Sequence, residues 1–202
     1  MTGNAAVDAE VTSRERVLRA AAYLFRTKGF DATSMREIAQ LAGLGKSSLY
    51  HHVPSKQQML GELVDHGMDQ LTSALQRVAT ADLPTTERLR LAVRTHVLTY
   101  IEHRDSVACF IQEGRALTGD QRGAFFAHRD RYEGWFRELV ADGIAKGEFR
   151  PTDVKLAVFA ILGMCHWVVR WYRPDGGFPP EKIADDFAEF AVRGLVTGQE
   201  GG

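Results

Sequence analysis

Cysteine is scarce in this 202-residue chain: Cys109 and Cys165 are the only two, and they form no CxxC pair. A disulfide framework and a cysteine-based zinc site are therefore both excluded as organising features. A leader of the usual form is also missing, because the opening residues MTGNAAVDAEVT are polar and acidic. The expected compartment is the cytoplasm. The longest apolar run, 156–169, has 14 residues and contains His166, whereas a spanning helix needs roughly 20. No membrane partner is expected. No stretch alternates with period two between turn pairs, so strands are not expected either. HExxH, the nucleophile elbow and the dinucleotide-binding glycine loop are all absent. That argues against an enzyme, and no cofactor or metal is expected.

What is present is the balance of a globular chain, 45% hydrophobic and 25% charged. The formal net charge is −1, but it is unevenly placed: residues 13–58 carry +5, residues 1–12 carry −2, and the remainder carries −4. A basic segment on an acidic body fits a small polyanion-binding head joined to a differently employed domain.

Periodicity is helical nearly throughout. Val17, Leu18, Ala21, Leu24 and Phe25 recur at three- and four-residue spacing, with a Thr12/Glu15 capping box before them and Gly29 after them, which predicts a helix over 13–28. Ser34 and Glu37 form a second capping box, opening a short helix that Gly43 halts. A third short helix fits between Gly45 and Pro54, and a long one starts near Lys56. Further helices are predicted from about 84 to 104 and over 106–117, 120–146, 152–172 and 180–197. The fold class is all-α. A tail at 1–12 is expected to be disordered, with a head over 13–58 and a body over 59–198.

Three short helices, the last two joined by a glycine-containing turn, form a helix-turn-helix unit. Ile38, Ala39, Leu41 and Leu49 would hold its second and third helices against Leu24 and Phe25. The remaining face of the third helix then shows Lys46, Ser47, Ser48, Tyr50 and His51, a cation and short donors suited to phosphates and base edges. Thr33, Ser34 and Lys56 sit at helix starts, where unpaired N–H groups favour a phosphate. Gly45-Lys46-Ser47 also matches the end of a P-loop, but position 40 is glutamine and no strand precedes it, so that reading fails.

The run from Thr33 to Lys56, TSMREIAQLAGLGKSSLYHHVPSK, resembles the DNA-binding signature of the TetR family of bacterial regulators. It departs from the family pattern at Gly45, where serine or threonine is usual, and at Val53, where phenylalanine is. Glycine caps almost as well and valine still fills an apolar slot. The resemblance implies that Thr33 and Ser34 touch phosphates, that Lys46, Ser47, Ser48 and Tyr50 reach bases or backbone, and that His51 and Lys56 clamp phosphates. It further implies a homodimer on palindromic double-stranded operator DNA, acting as a repressor released by a small hydrophobic effector.

The helix expected over 152–172 is apolar around most of its circumference and calls for cover from a second subunit. Polar and aromatic residues within apolar stripes are the candidates for an effector pocket: Tyr100, Phe110, Glu113, Arg129, Tyr132, Trp135, His166, Trp167 and Arg170, with His96, Gln112, Phe125 and Phe136 beside them. The segment from Trp167 to Gly177, WVVRWYRPDGG, is similar to a subgroup of actinobacterial TetR regulators of fatty-acid and sterol-ring breakdown that respond to acyl-CoA thioesters. The competing expectations are a non-CoA aromatic or drug-like effector, and a helical protein-interaction module without sequence-specific DNA binding.

Overall fold

The computed structural model describes residues 12–79 and 81–196. Of the expected tail only Thr12 is among them; 1–11 lie outside, as do 197 and 198 at the far end of the expected body. Thr12 caps α1 (Ser13–Lys28): its hydroxyl accepts from the Glu15 N–H, and the Glu15 carboxylate accepts from the Thr12 N–H at 2.8 Å. The same reciprocal box starts α2 (Met35–Leu41) at Ser34 and Glu37. There the Glu37 carboxyl is held down at about 2, first by the Lys28 ammonium and then by Ser34. α3 (Lys46–His52) has Gly45 at its N-cap and no side-chain cap.

Phe25, Ile38, Ala39 and Leu49 are buried and close the head core, with Phe25 edge-on to Phe30 at 5.2 Å. Each large apolar side chain sealed in this way contributes roughly 1.5–3 kcal/mol. Leu41 departs from expectation. It is 52% exposed, because α2 ends there and Ala42, one position on, turns into the core instead.

α4 (Lys56–Ala79) runs from head to body. The body continues with α5 (Thr85–Glu102), α7 (Gly119–Ala145), α8 (Val154–Trp171) and α9 (Pro180–Arg193). Pro84 cannot cap α5, and Glu148 does so from 63 and 62 residues away, accepting from the Thr85 and Thr86 N–H groups at 3.1 and 2.7 Å. α9 lies along α5, tied by Arg90 to Glu189 and by Arg94 to Asp185. The expected single helix over 106–117 is instead α6 (Arg104–Ala108), a π turn at Cys109–Glu113 and a 3₁₀ turn at Gly114–Ala116. The wider turn keeps Val107, Cys109 and Phe110 buried at once. Cys109 and Cys165 are free and buried, and burial pushes both thiols up to about 12.

α8 spans 18 residues with mean hydropathy 1.4, enough by length and composition to cross a membrane. Here it is a helix of the body: Val158, Ile161, Leu162, Cys165, Val168 and Val169 are buried inside the protein. Among the described residues the sole strand-like pairing is an isolated antiparallel bridge between Phe149 and Val196.

Candidate functional sites: head, junction and body core

Successive residues of α3 turn by 100°, so Lys46, Ser47, Tyr50 and His51 share one arc while Leu49 and Val53 face the core. Those four are exposed, with Tyr50 at 43%, and Ser48 is half-buried at the edge. Ser34 is exposed, and its hydroxyl donates to Glu37 at 2.7 Å. Thr33 is placed differently from the outward position expected: its side chain is buried and donates to the Gly29 carbonyl at 2.8 Å.

Lys56 also turns inward. Its ammonium donates to the carbonyls of Phe30 and Thr33 at 2.7 and 2.9 Å, with Asp31 at 3.4 Å, and lies over the Phe30 ring. Three carbonyls that no helix uses outcompete an outward pose, and the lysine pins the loop between α1 and α2.

Glu113, expected in a pocket, approaches the same loop from the body. Its carboxylate accepts a hydrogen bond from the Phe30 N–H, and burial is the main cause raising its pKa. Gly29 beside it sits at φ +90°, a conformation that favours glycine, and a Cβ there would only touch the carboxylate at 3.8 Å. Further ties between head and body are Arg26 to Asp105, and the Cys109 thiol to the Ala22 carbonyl. α4 crosses α6 closely at Gly67, where a Cβ would fall 2.7 Å from the Ser106 carbonyl oxygen. Beside these contacts lies a wide, open groove of about 1040 Å³ lined by Arg14, Arg19, Glu62, Asp65, Asp69 and Asp105 among others. Its charged walls suit water more than an apolar ligand.

The pocket candidates separate into three places. Tyr100, Tyr132 and His166 meet at the centre of the body with His96 and Phe136, and Trp135 packs edge-on to Phe136 at 5.3 Å. The His96 Nδ1 lies 2.6 Å from the Tyr132 hydroxyl. Burial lowers the pKa of His96 well below the usual histidine range and that of His166 to about 4, and burial raises Tyr100 and Tyr132. A cleft of about 310 Å³ between α4 and α7 reaches this cluster, lined by Thr72, Leu75, Gln76, His128, Arg131, Tyr132 and Trp135.

Phe110 and Glu113 lie elsewhere, on the π turn, with Phe110 against Phe125. Arg129 is on the outer side of α7, over the Phe126 ring and paired with Asp130 at 2.8 Å. Trp167 and Arg170 are exposed, Trp167 at 64%. On α8 they sit on the side away from Cys165 and Val168, on an arc shared with Leu156, Ala160 and Gly163. Spacing marked all of these as polar or aromatic intruders without telling inward from outward. The Gln76 and Arg131 margin of the cleft was missed because both read as ordinary solvated helix positions. His96, expected beside the pocket candidates, lies at the middle of this cluster.

A three-helix head with an outward polar face, carried by a long helix on an all-helical body, defines a helix-turn-helix DNA-binding regulator. Two family profiles match: "Bacterial regulatory proteins, tetR family" over 17–63 and "Tetracyclin repressor-like, C-terminal domain" over 82–195. The chain belongs to the TetR family of bacterial transcriptional regulators, and its relatives are regulators, not enzymes. It is 32% identical over 190 residues to the HTH-type transcriptional repressor KstR2 of Rhodococcus jostii, covering 91% of each chain. The structure of the ketosteroid transcriptional regulator KstR2 of Mycobacterium tuberculosis superposes with a TM-score of 0.87 at 26% identity, over 95% of this chain and 97% of that one. AibR, solved in complex with isovaleryl coenzyme A and operator DNA, gives a TM-score of 0.80 at 31% identity, over 89% and 97%.

Proposed function

We propose that the protein is a homodimeric repressor that binds a palindromic operator and leaves it when a small hydrophobic effector, an acyl-CoA thioester, occupies the body. The observation that carries this is the coexistence of an exposed cationic face on α3 with a cleft leading to a polar aromatic cluster in an otherwise apolar body. AibR, similar in fold and sequence, was captured with both a CoA thioester and DNA. The basic and aromatic rim of the cleft, His128, Arg131 and Trp135, suits a charged handle outside an apolar tail.

Dimerisation is supported by the apolar arc of α8, where Leu156 and Trp167 flank Ala160 and Gly163, and by Phe190 of α9 at 66% exposure. Ala160, Met164 and Phe190 also border a groove of about 220 Å³ between the two helices. Twofold pairing through this face would present two heads to half-sites roughly 34–36 Å apart, or a multiple. In this reading the division remains a head over 13–58 and a body over 59–198. Lys46, Ser47, Ser48, Tyr50, His51 and Ser34 make the DNA contacts, and α4 is the lever between effector and head. An effector releases DNA only if it binds the wrongly spaced form more tightly, with couplings of roughly 1–3 kcal/mol.

The test is a gel shift on the DNA flanking the protein's own gene, titrated with acyl-CoA thioesters and their free acids. Release by thioesters and not by acids supports the CoA reading. Release by acids alone favours the non-CoA effector, and indifference to every duplex would leave the interaction-module reading.

A further inference from the structure

Two polar atoms at the centre of the body have no partner. The second ring nitrogen of His96 and the Tyr100 hydroxyl are buried and unbonded, and they belong to residues one helical turn apart on α5. His96 is 1% exposed and Tyr100 0%. Their rings stack at 5.4 Å, and His166 adjoins both, at 5.6 and 5.9 Å. A buried donor or acceptor without a partner weakens the fold, so two side by side call for something that satisfies them. The other nitrogen of the same imidazole, by contrast, lies within hydrogen-bond distance of the Tyr132 hydroxyl.

We propose that His96 and Tyr100 recognise an uncharged oxygen, a ketone or an alcohol, on an otherwise apolar ligand; this rests on the reading of the body as an effector site. The neutrality follows from the surroundings. The groups facing the pair are Tyr132 and Phe136 from α7 and Cys165 and His166 from α8. None is a standing charge, since burial keeps His166 neutral and the Cys165 thiol protonated. A carboxylate here would lose its hydration with no cation to replace it.

The hydrogen-bonding pattern fits an oxygen. With Nδ1 accepting from the Tyr132 hydroxyl, Nε2 carries the proton, and His96 and Tyr100 offer two donors, matching the two lone pairs of a carbonyl. With Nδ1 donating, Nε2 is an acceptor beside the Tyr100 hydroxyl, which matches an alcohol. The α4–α7 cleft stops at Tyr132, the hydrogen-bond neighbour of His96, so an entering ligand would have to displace that ring to bring its oxygen to the pair.

The test uses the full-length protein, thermal shift, and three probes of one size: cyclohexanone, its isostere methylenecyclohexane, and cyclohexanecarboxylate. Cyclohexanone is expected to bind at least threefold more tightly than methylenecyclohexane, and the carboxylate not at all. In Tyr100→Phe the preference shrinks, since one of the two donors is gone, while the ligand-free variant melts no lower than the parent because it has lost only an unpaired hydroxyl. A clear fall in its melting temperature would show the hydroxyl already satisfied, and equal binding of ketone and isostere, or binding of the carboxylate, would equally overturn the proposal. Ketone preference without operator release by any thioester would sink the CoA reading alone. Operator release without ketone preference would sink this proposal alone.

Discussion

The Lys56 ammonium lies 2.7 Å from the Phe30 carbonyl and 4.3 Å from the centre of the Phe30 ring. One cation thus anchors, at the first turn of α4, the loop that delivers α2. Lys56→Met should cost about 1.5–3 kcal/mol in urea unfolding, the range for hydrogen bonds to a charged group, reduced where solvent reaches the pair. Its effect on DNA binding should leave the salt dependence unchanged. Lys46→Ala should instead leave stability alone and lower the slope of log affinity against log salt by about one. If both variants flatten the slope equally, Lys56 reaches a phosphate after all.

That contrast marks where sequence reading stopped. The two capping boxes were legible because each is a local reciprocal bond between residues three apart, and α1 occupies the residues that its stripe and caps predicted. Lys56 was not, because its partners are loop carbonyls 23 to 26 residues upstream. The π turn escaped for a similar reason: periodicity continues through Cys109–Glu113, and what widens it is packing against α1 and α4. In the body, polar aromatic intruders were visible, but a helix-wide apolar stripe gave no way to tell His166, facing Tyr100, from Trp167, facing out.

Buried His96 and half-buried His166 set a pH dependence. Both have folded pKa values below the ordinary 6.5, His166 at about 4, so the unfolded chain binds protons first as pH falls. Their contribution is complete above about pH 6.5 and falls away as pH drops below it, for His166 progressively toward pH 4, at about 1.4 kcal/mol per pKa unit of separation. Glu37, near 2, loses its part only at lower pH. Urea midpoints from pH 7.5 to 4.5 should fall more steeply for the parent than for His166→Phe. Parallel curves would show that the imidazole is hydrated in the folded state.

In the proposed dimer, placing charge on the apolar arc should separate the subunits. Trp167→Glu combined with Phe190→Glu is expected to give a folded monomer by sedimentation, since both side chains are exposed in the single chain. Operator affinity should drop by roughly two orders of magnitude or more through loss of the second head. A variant that stays dimeric would move the interface elsewhere.

The junction can be tested by tying it. Arg26 of α1 pairs with Asp105 of α6. Replacing both with cysteine and joining them with a short bismaleimide should remove the coupling of roughly 1–3 kcal/mol between effector and operator. Operator affinity measured with and without a releasing thioester would then coincide. Full release from the tied protein would rule out movement at this junction as the route.

The thiols of Cys109 and Cys165, pushed up to about 12, have a consequence for what the cell can tell this regulator. Peroxides and alkylating electrophiles react with thiolates, and neither sulfur offers one at neutral pH. A stress signal that works by trapping a thiolate therefore finds no handle on either cysteine, so any redox sensing through sulfur would have to come from outside these two side chains.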